Sequence, residues 1–248
     1  MHMTPFSSTR SLARWLATGV GVATGAYATY AGITWFRYGR PSRSATGSQD
    51  PLLDRFMPSY DIAERHHIGV SAPAEITLAA AGEGDLWQSP IARAIFRARE
   101  VILGSEPDRS TRPPGLLALT QSLGWRVLAE VPGREVVVGA VTQPWKANVE
   151  FRGLSPDEFA TFNEPGYVKI AWTLRADRLT PTESVFRTET RAIATDAWAR
   201  AKFRRYWSFL SPGIIAIRWM TLQPVKAEAE RRARAAESRL RKASSLGG

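Results

Sequence analysis

The chain has 248 residues, room for one folded domain of roughly 150–200 residues plus an appendage, and its 44% hydrophobic content suits a sizeable core. Cysteine is absent, which excludes disulfide frameworks, thiol nucleophiles, thiolate zinc sites and iron–sulfur clusters. The formal charge of +10 sits at the ends, with +4 over residues 1–50, −3 over 51–196 and +9 over 197–248, so the centre carries no basic stripe for nucleic acid and no nucleic-acid partner is expected.

In chain order, the first feature after the flank 1–14 is a run of 22 uncharged residues, 15–36, between Arg14 and Arg37. As a helix rising about 1.5 Å per residue it would span the ~30 Å hydrocarbon layer. Trp15 at one end and Tyr30, Trp35, Phe36 and Tyr38 at the other resemble interfacial aromatic belts. The expectation is a single-pass membrane helix, with the positive-inside bias leaning towards a cytoplasmic C-terminal domain. A cleaved secretory signal is the competing reading, because Ala26-Tyr27-Ala28 resembles a small-x-small cleavage site. Gly21 and Gly25 form a GxxxG through which two such helices could pair as a homodimer. The glycines at 19, 21 and 25 do not make a dinucleotide loop, since the last is one position late and no βαβ context surrounds it. Residues 37–57, rich in Gly, Pro and Ser, read as a linker, with the folded domain over 58–226.

Residues 60–70 alternate in a strand pattern that puts Ile62, Glu64, His66, Ile68 and Val70 on one side. Residues 74–81 read as a short helix broken at Gly82–Gly84, and Ser89-Pro90 starts a second helix. A Pro-rich loop at 104–115 and a short helix at 116–122 follow. Extended patterns then run over 125–131, 135–141 after a Pro132-Gly133 turn, less regularly over 146–151, and over 167–176 and 183–195, which together predict an antiparallel meander. In the last segment Phe203, Trp207, Leu210, Ile214 and Ile217 step by four, three, four and three, the spacing of a helix stripe that could lie across a sheet. A break or kink is expected at Pro212 and another at Pro224. Residues 206–225 are alternatively a second span, a reading opposed by Arg218 near its centre and by the two prolines. Residues 227–248 form a basic tail suited to an anionic leaflet or to solvent.

This order of strand, two short helices, meander and long helix resembles the START-like or SRPBCC superfamily. The residues that carry the resemblance are Ile68-Gly69-Val70-Ser71-Ala72-Pro73-Ala74-Glu75, then Phe186-Arg187-Thr188-Glu189-Thr190-Arg191, Phe203-Arg204-Arg205-Tyr206-Trp207 and residues 212–226. The resemblance covers about residues 60–235 and implies an α+β helix-grip fold, a curved antiparallel sheet wrapped around a long C-terminal helix, here with an N-terminal membrane helix added. It also implies a cavity for an apolar small molecule. Relatives either carry lipids or catalyse cyclisation or hydrolysis, and the family implies no cofactor.

The chemistry-bearing residues are few. His66 and His67 point to opposite faces of a strand and cannot jointly hold a metal, and with His2 the only other histidine no metal site is expected. Arg187, Glu189 and Arg191 share one face of the last strand, either as a charge ladder on the convex side or as an inward group that polarises a carbonyl. The other face, Phe186, Thr188, Thr190 and Ala192, suits a cavity wall. Trp125, Trp145, Trp172, Tyr206, Trp207 and Leu210 either pack the core or line the cavity. Glu164 could face the cavity mouth, whereas Asp157 and Glu158 sit at a helix start. No Ser-His-Asp order, P-loop, HExxH or EF-hand pattern occurs. The reading is a membrane-anchored domain that binds or transfers an apolar small molecule or lipid; the alternative is a polyketide cyclase or hydrolase-like enzyme in which Glu189, Arg187 or His66 performs proton transfer or carbonyl polarisation.

Overall fold

The computed structural model describes residues 7–39, 50–84, 90–105 and 113–246. The linker stretch 40–49, His2, Ser89 and much of the 104–115 loop lie outside the described residues. Seven helices and six strands follow in the order α1 (Ser7–Arg37), α2 (Pro51–Asp54), β1 (Ile62–Val70), α3 (Ala74–Glu83), α4 (Pro90–Leu103), α5 (Leu116–Ser122), β2 (Arg126–Val131), β3 (Glu135–Thr142), β4 (Phe151–Arg152), α6 (Pro156–Thr161), β5 (Val168–Thr180), β6 (Glu183–Ala194) and α7 (Ala197–Leu246), counted among the described residues.

The strands form one antiparallel sheet in the order β1-β6-β5-β3-β2, with β4 on the other half of β3. Sequence turns set the hairpins. At the β2–β3 turn Gly133 has φ +69, a left-handed conformation that glycine adopts without a Cβ penalty. At Gly124, where the chain enters β2, φ is +95 and an added Cβ would lie 2.2 Å from the Phe151 carbonyl oxygen, so only glycine lets β2 and β4 come this close.

Strand alternation gives the sheet two different faces. Residues Val70, Val138, Trp172, Leu174 and Phe186 pack with α3 and with Leu222, Val225, Ala229 and Ala233 of α7. Ile62, Val168 and Ala192 pack with Phe203 and Trp207 of α7 and with Tyr38. The opposite face holds Val137, Val141 and Ala171 under Leu53, Phe56 and Met57 from the α2 segment and Phe159 of α6. Each fully buried side chain of this size contributes roughly 1.5–3 kcal/mol by leaving water, so both faces are cores. An antiparallel sheet against one long C-terminal helix fits the helix-grip arrangement.

Three expectations are corrected. No helix among the described residues is long and apolar enough to cross a membrane. The run 15–36 is uncharged, but Gly and Thr hold eight of its 22 positions, and helix α1 instead lies along α7. There Tyr30 and Ser211 hydroxyls meet at 3.1 Å, the Tyr27 hydroxyl donates to the Phe209 carbonyl, and Arg204 donates to the Trp35 carbonyl at 2.9 Å while its guanidinium stands 4.2 Å over the Trp35 ring. Gly21 and Gly25 are exposed and an added Cβ would meet nothing within 4 Å. Second, α7 does not end at Pro212 or Pro224 and runs continuously through both. Pro212 removes the N–H that the Ser208 carbonyl would bond, and the α1 tyrosines attach at this weakened turn. Third, the expected linker 37–57 ends in structure. Asp50 caps α2 by accepting from the Leu53 N–H at 3.0 Å, Pro51 occupies the first helical turn, and Leu53 and Met57 are buried.

Candidate functional site

The α7 side of the sheet is not one continuous apolar core. The cluster around Phe203 and Trp207 and the cluster around Leu222 and Val225 are separate, and a polar belt runs between them. Strand register builds the belt: His66 of β1 pairs opposite Thr188 of β6, and Glu64 opposite Thr190. All four share the α7 face with their apolar neighbours Ile62, Ile68, Phe186 and Ala192, because side chains alternate. On the next strand Trp172 pairs opposite Thr190. From above, α7 contributes Arg218, four residues after Ile214 and four before Leu222 on the same stripe.

The Arg218 guanidinium donates to the Thr188 hydroxyl at 3.3 Å and stands 5.5 Å from the Trp172 ring centroid. Arg218 is half-buried; packing against the sheet pulls its pKa down to about 10, with Glu64 pulling the other way, so it remains a cation at neutral pH. Burial raises the Glu64 pKa against the pull of Arg218 and Arg65. Burial, then Arg218 and His67, lower that of His66, so its imidazole is neutral at neutral pH. The His66 Nε2 and the Thr190 hydroxyl are buried without a hydrogen-bond partner, and such groups normally find one. Thr190 is 9% exposed. Two unmet hydrogen-bonding atoms, a cation and an indole face therefore lie together on the α7 side of the sheet, beside Glu64 and the Thr188 hydroxyl.

Several sequence-singled residues sit on this side. Trp172, Phe186, Thr188, Thr190 and Trp207 are buried there, and His66 joins them. Trp125 packs half-buried against the Trp172 ring at 6.3 Å. Trp145 meets Trp198 edge-on at 5.7 Å beside the Phe203 cluster. Tyr206 stacks on Phe203 at 6.1 Å, and Leu210 is partly exposed and belongs to none of the three buried clusters.

Arg187 and Glu189 are corrected as inward polar groups: odd positions of β6 point away from α7. Arg187 donates to Asp177 at 2.9 Å. Glu189 accepts from Arg191 at 2.7 Å and Arg65 at 2.8 Å, while Arg191 also reaches Asp54 at 2.5 Å and the Met57 carbonyl at 2.8 Å, fastening the α2 segment to that face. Glu164 is exposed and paired with Arg152 at 3.0 Å. Glu158 closes a capping box with Ser155, whose hydrogen bonds hold its carboxyl below the usual range.

Arg218 and Glu64 are the site members that sequence reasoning did not assign. The signal for Arg218 was its place inside an apolar helix stripe, and for Glu64 its place on the same strand side as Ile62, Ile68 and Val70. No group of three or more His, Cys, Asp or Glu converges among the described residues. A depression of about 540 Å³ lies elsewhere, between α3, α5 and the β2–β3 turn, with Leu78, Leu117 and Val136 in its wall and Glu75, Glu83 and Glu130 around it.

No family model matches the chain, and no curated protein matches it. Among solved structures, the chain is similar to a structural-genomics protein of Chromobacterium violaceum, at 16% identity over 62% of this chain and 95% of that one, with a TM-score of 0.23. It is similar to the Zhui aromatase/cyclase of a Streptomyces species at 16% identity, 70% and 96% coverage and a TM-score of 0.22. The di-domain aromatase/cyclase BexL aligns at 15% identity over 68% of this chain and 46% of that one, with a TM-score of 0.23. At these scores the likenesses stand beside the geometry and add nothing to it.

Proposed function

We propose that the protein binds an apolar small molecule between the sheet and α7 and acts on it as a cyclase-like enzyme, by carbonyl polarisation and proton transfer. The observation that carries this reading is the polar belt itself: the unpartnered His66 Nε2 and Thr190 hydroxyl beside the half-buried Arg218 cation. A carbonyl oxygen set against Arg218 develops negative charge when a neighbouring carbon loses its proton. A preorganised donor at such an oxygen contributes about 10²–10³ in rate. Neutral His66 is the base within the belt, and a positioned base contributes about 10²–10⁴. The proton passes from carbon to the imidazole and the electron pair moves to the oxygen as an enolate; the enolate carbon then attacks a second carbonyl carbon of the same molecule, whose π pair moves to its oxygen, and that oxygen takes the proton back from the imidazolium as the ring closes. Trp172 and Phe186 wall the apolar body of the molecule.

The test begins with organic extraction of the purified protein and mass spectrometry of what it carries. The recovered compound, returned to the protein in deuterated water, is expected to exchange hydrogen beside its carbonyl, and His66→Gln to bind it without exchange. Binding without exchange in the unaltered protein would overturn the enzymatic half and leave carriage. Thr188→Trp fills the space and is expected to abolish binding; undiminished binding places the ligand elsewhere.

A further inference from the structure

Three elements meet where α7 begins. The close of α1 is tied there by the Trp35 carbonyl, which accepts from Arg204 at 2.9 Å, and by Tyr38, whose ring meets Phe203 edge-on at 5.9 Å. Helix α4 approaches α7 at Gly213, where an added Cβ would lie 2.9 Å from the Ile95 Cγ2. From there it runs back towards the start of α7: just past its end the Ser105 hydroxyl donates to the Ala147 carbonyl at 2.5 Å, two residues after Trp145, which touches Trp198 in the first turn of α7.

This end of the molecule carries large apolar side chains in water. Helix spacing puts Ile95, Ala98 and Ile102 on one stripe of α4, and α7 covers only its beginning. Ile95 is half-buried, whereas Ile102 is 66% and Val101 82% exposed. Phe36 is 73% exposed, and Trp198 and Phe209 are exposed as well. A cluster of this kind rimmed by polar groups marks an interaction surface. Its rim is cationic: Arg37, Arg97, Lys202 and Arg205 are exposed, and none makes an ion pair among the described residues. Residues 197–225 hold five basic groups and no acid. Of the acids close by in sequence or space, Asp61 meets Arg200 at 3.2 Å, Asp196 accepts from the Ala199 N–H at 2.8 Å, and Glu100 of α4 is half-buried. The rest of α7 is different, since residues 226–246 set seven basic groups against three acids and pair Arg231, Arg232 and Arg241 with them.

From this juxtaposition we infer that the end formed by the close of α1, the second half of α4 and the start of α7 docks on an anionic lipid surface. Phe36, Ile102 and Trp198 enter the headgroup layer, and the rim cations meet lipid phosphates. The helices lie on the bilayer and none crosses it. Indole rings favour that layer, and the Lys202 Nζ already stands 5.6 Å from the Trp198 ring centroid, so ring and cation reach the same depth. Charge complementarity selects an anionic surface over a neutral one. The aliphatic side chains select lipid over nucleic acid, because Val101 and Ile102 gain nothing from a sugar–phosphate backbone. A second copy of the chain would set these unpaired cations against their own kind.

The test is sedimentation of the full chain with sucrose-loaded vesicles of phosphatidylcholine, alone or mixed with phosphatidylglycerol. The mixture is expected to bind at least about tenfold more strongly, and to lose most of that advantage between about 0.1 M and about 1 M salt. Lys202→Gln with Arg205→Gln is expected to weaken binding at least about tenfold, each basic group at the surface being worth about fivefold. Phe36→Ser with Ile102→Ser, at unchanged charge, is also expected to weaken it at least about tenfold. Equal binding to the two vesicles, or binding to neither, overturns the inference in the unaltered protein, whatever the variants do. Binding that ignores Phe36→Ser with Ile102→Ser overturns it, and so does binding that falls further with Arg234→Gln and Arg239→Gln in the tail than with Lys202→Gln and Arg205→Gln. Single-stranded DNA that displaces the protein from the vesicles and is held equally well by the Phe36→Ser, Ile102→Ser variant assigns the cations to nucleic acid instead. A lipid-free dimer in analytical ultracentrifugation that the same variant dissociates makes the surface a contact between copies and likewise overturns it.

Discussion

Replacing Glu135 by glutamine tests the electrostatics of the face opposite α7. Glu135 is 3% exposed and Asp50 4%, and the two carboxyls meet where the α2 segment closes over β3. Burial, then the hydrogen bond and charge of Asp50, push the Glu135 pKa up to about 8, with Arg175 and Arg134 opposing. A carboxyl with a raised folded pKa binds its proton more tightly in the folded chain. Its stabilising contribution is full below the unfolded value of 4.5 and is lost as pH rises towards about 8. Holding a proton more tightly by a factor of ten is worth about 1.4 kcal/mol, so a rise of this size corresponds to a loss of roughly 3–5 kcal/mol across that window. Glu135→Gln keeps a donor for Asp50 and removes the titration. Urea unfolding followed by tryptophan fluorescence, run on both proteins from about pH 5 to about pH 8, reads the difference. The two are expected to be close in stability at the acid end, with the variant ahead by roughly 3 kcal/mol or more at the alkaline end. A difference between them that does not change with pH refutes the shared-proton pair.

Other perturbations have sharper structural signatures. Arg191→Met strips Asp54 of its partner and leaves Glu189 with Arg65 alone; the expected cost in chemical denaturation is roughly 3–5 kcal/mol, since breaking a buried pair strands its acid. Leu53→Ala empties a fully buried position over β3 and should cost roughly 2–5 kcal/mol; a cost near zero would detach α2 from the sheet. Gly124→Ala and Gly166→Ala form a matched pair, with φ of +95 and +88. The first drives its Cβ to 2.2 Å from the Phe151 carbonyl oxygen, while the nearest atom to the second is 3.6 Å away. Both lose about 1–2 kcal/mol to the left-handed backbone, and only the first is expected to lose a further ~1–3 kcal/mol to the clash, read as a clearly larger fall in Tm.

Legibility in the sequence followed the range of the interactions. Most strands and helices from β1 to β6 were readable because alternation and proline or glycine punctuation are local: the expected extended runs at 135–141 and 183–195 match β3 and β6 within a residue at each end, whereas the run expected over 146–151 is mostly irregular with only Phe151 in β4, and β5 continues to Thr180 beyond the expected end at 176. Residues 15–36 misled for the opposite reason. Lack of charge is a local property, but whether an uncharged Gly/Thr-rich helix faces lipid or another helix depends on a distant surface, here the Pro212 turn of α7. Pro212 and Pro224 misled similarly, since a helix packed along its length can hold a turn that propensity alone would break. Thr188 and Thr190 were legible as an inward face from alternation. Arg218 was not, because a lone arginine in an apolar stripe gains a meaning only when β1 and β6 bring Glu64, His66 and Thr190 beneath it.

The contrast between Arg191 and Arg218 shows how one strand separates scaffold from site. In β6 the residues alternate Arg187, Thr188, Glu189, Thr190 and Arg191. A change of pairing by one residue would exchange the two sets between faces, carrying the charge ladder under α7 and the threonines under α2. The register Ile62↔Ala192 through Val70↔Ser184 prevents it, since Phe186 and Ala192 have apolar partners on one side only. Charges that complete each other thus gather on the α2 face, where Arg191, Glu189, Arg65 and Asp54 fasten a segment to the sheet. The α7 face receives the threonines and a cation with no acid bonded to it. Arg191 is fully buried and paired, whereas Arg218 is half-buried with no acid bonded to it beside two unmet hydrogen-bonding atoms, and this difference between the two faces is what the proposed site rests on.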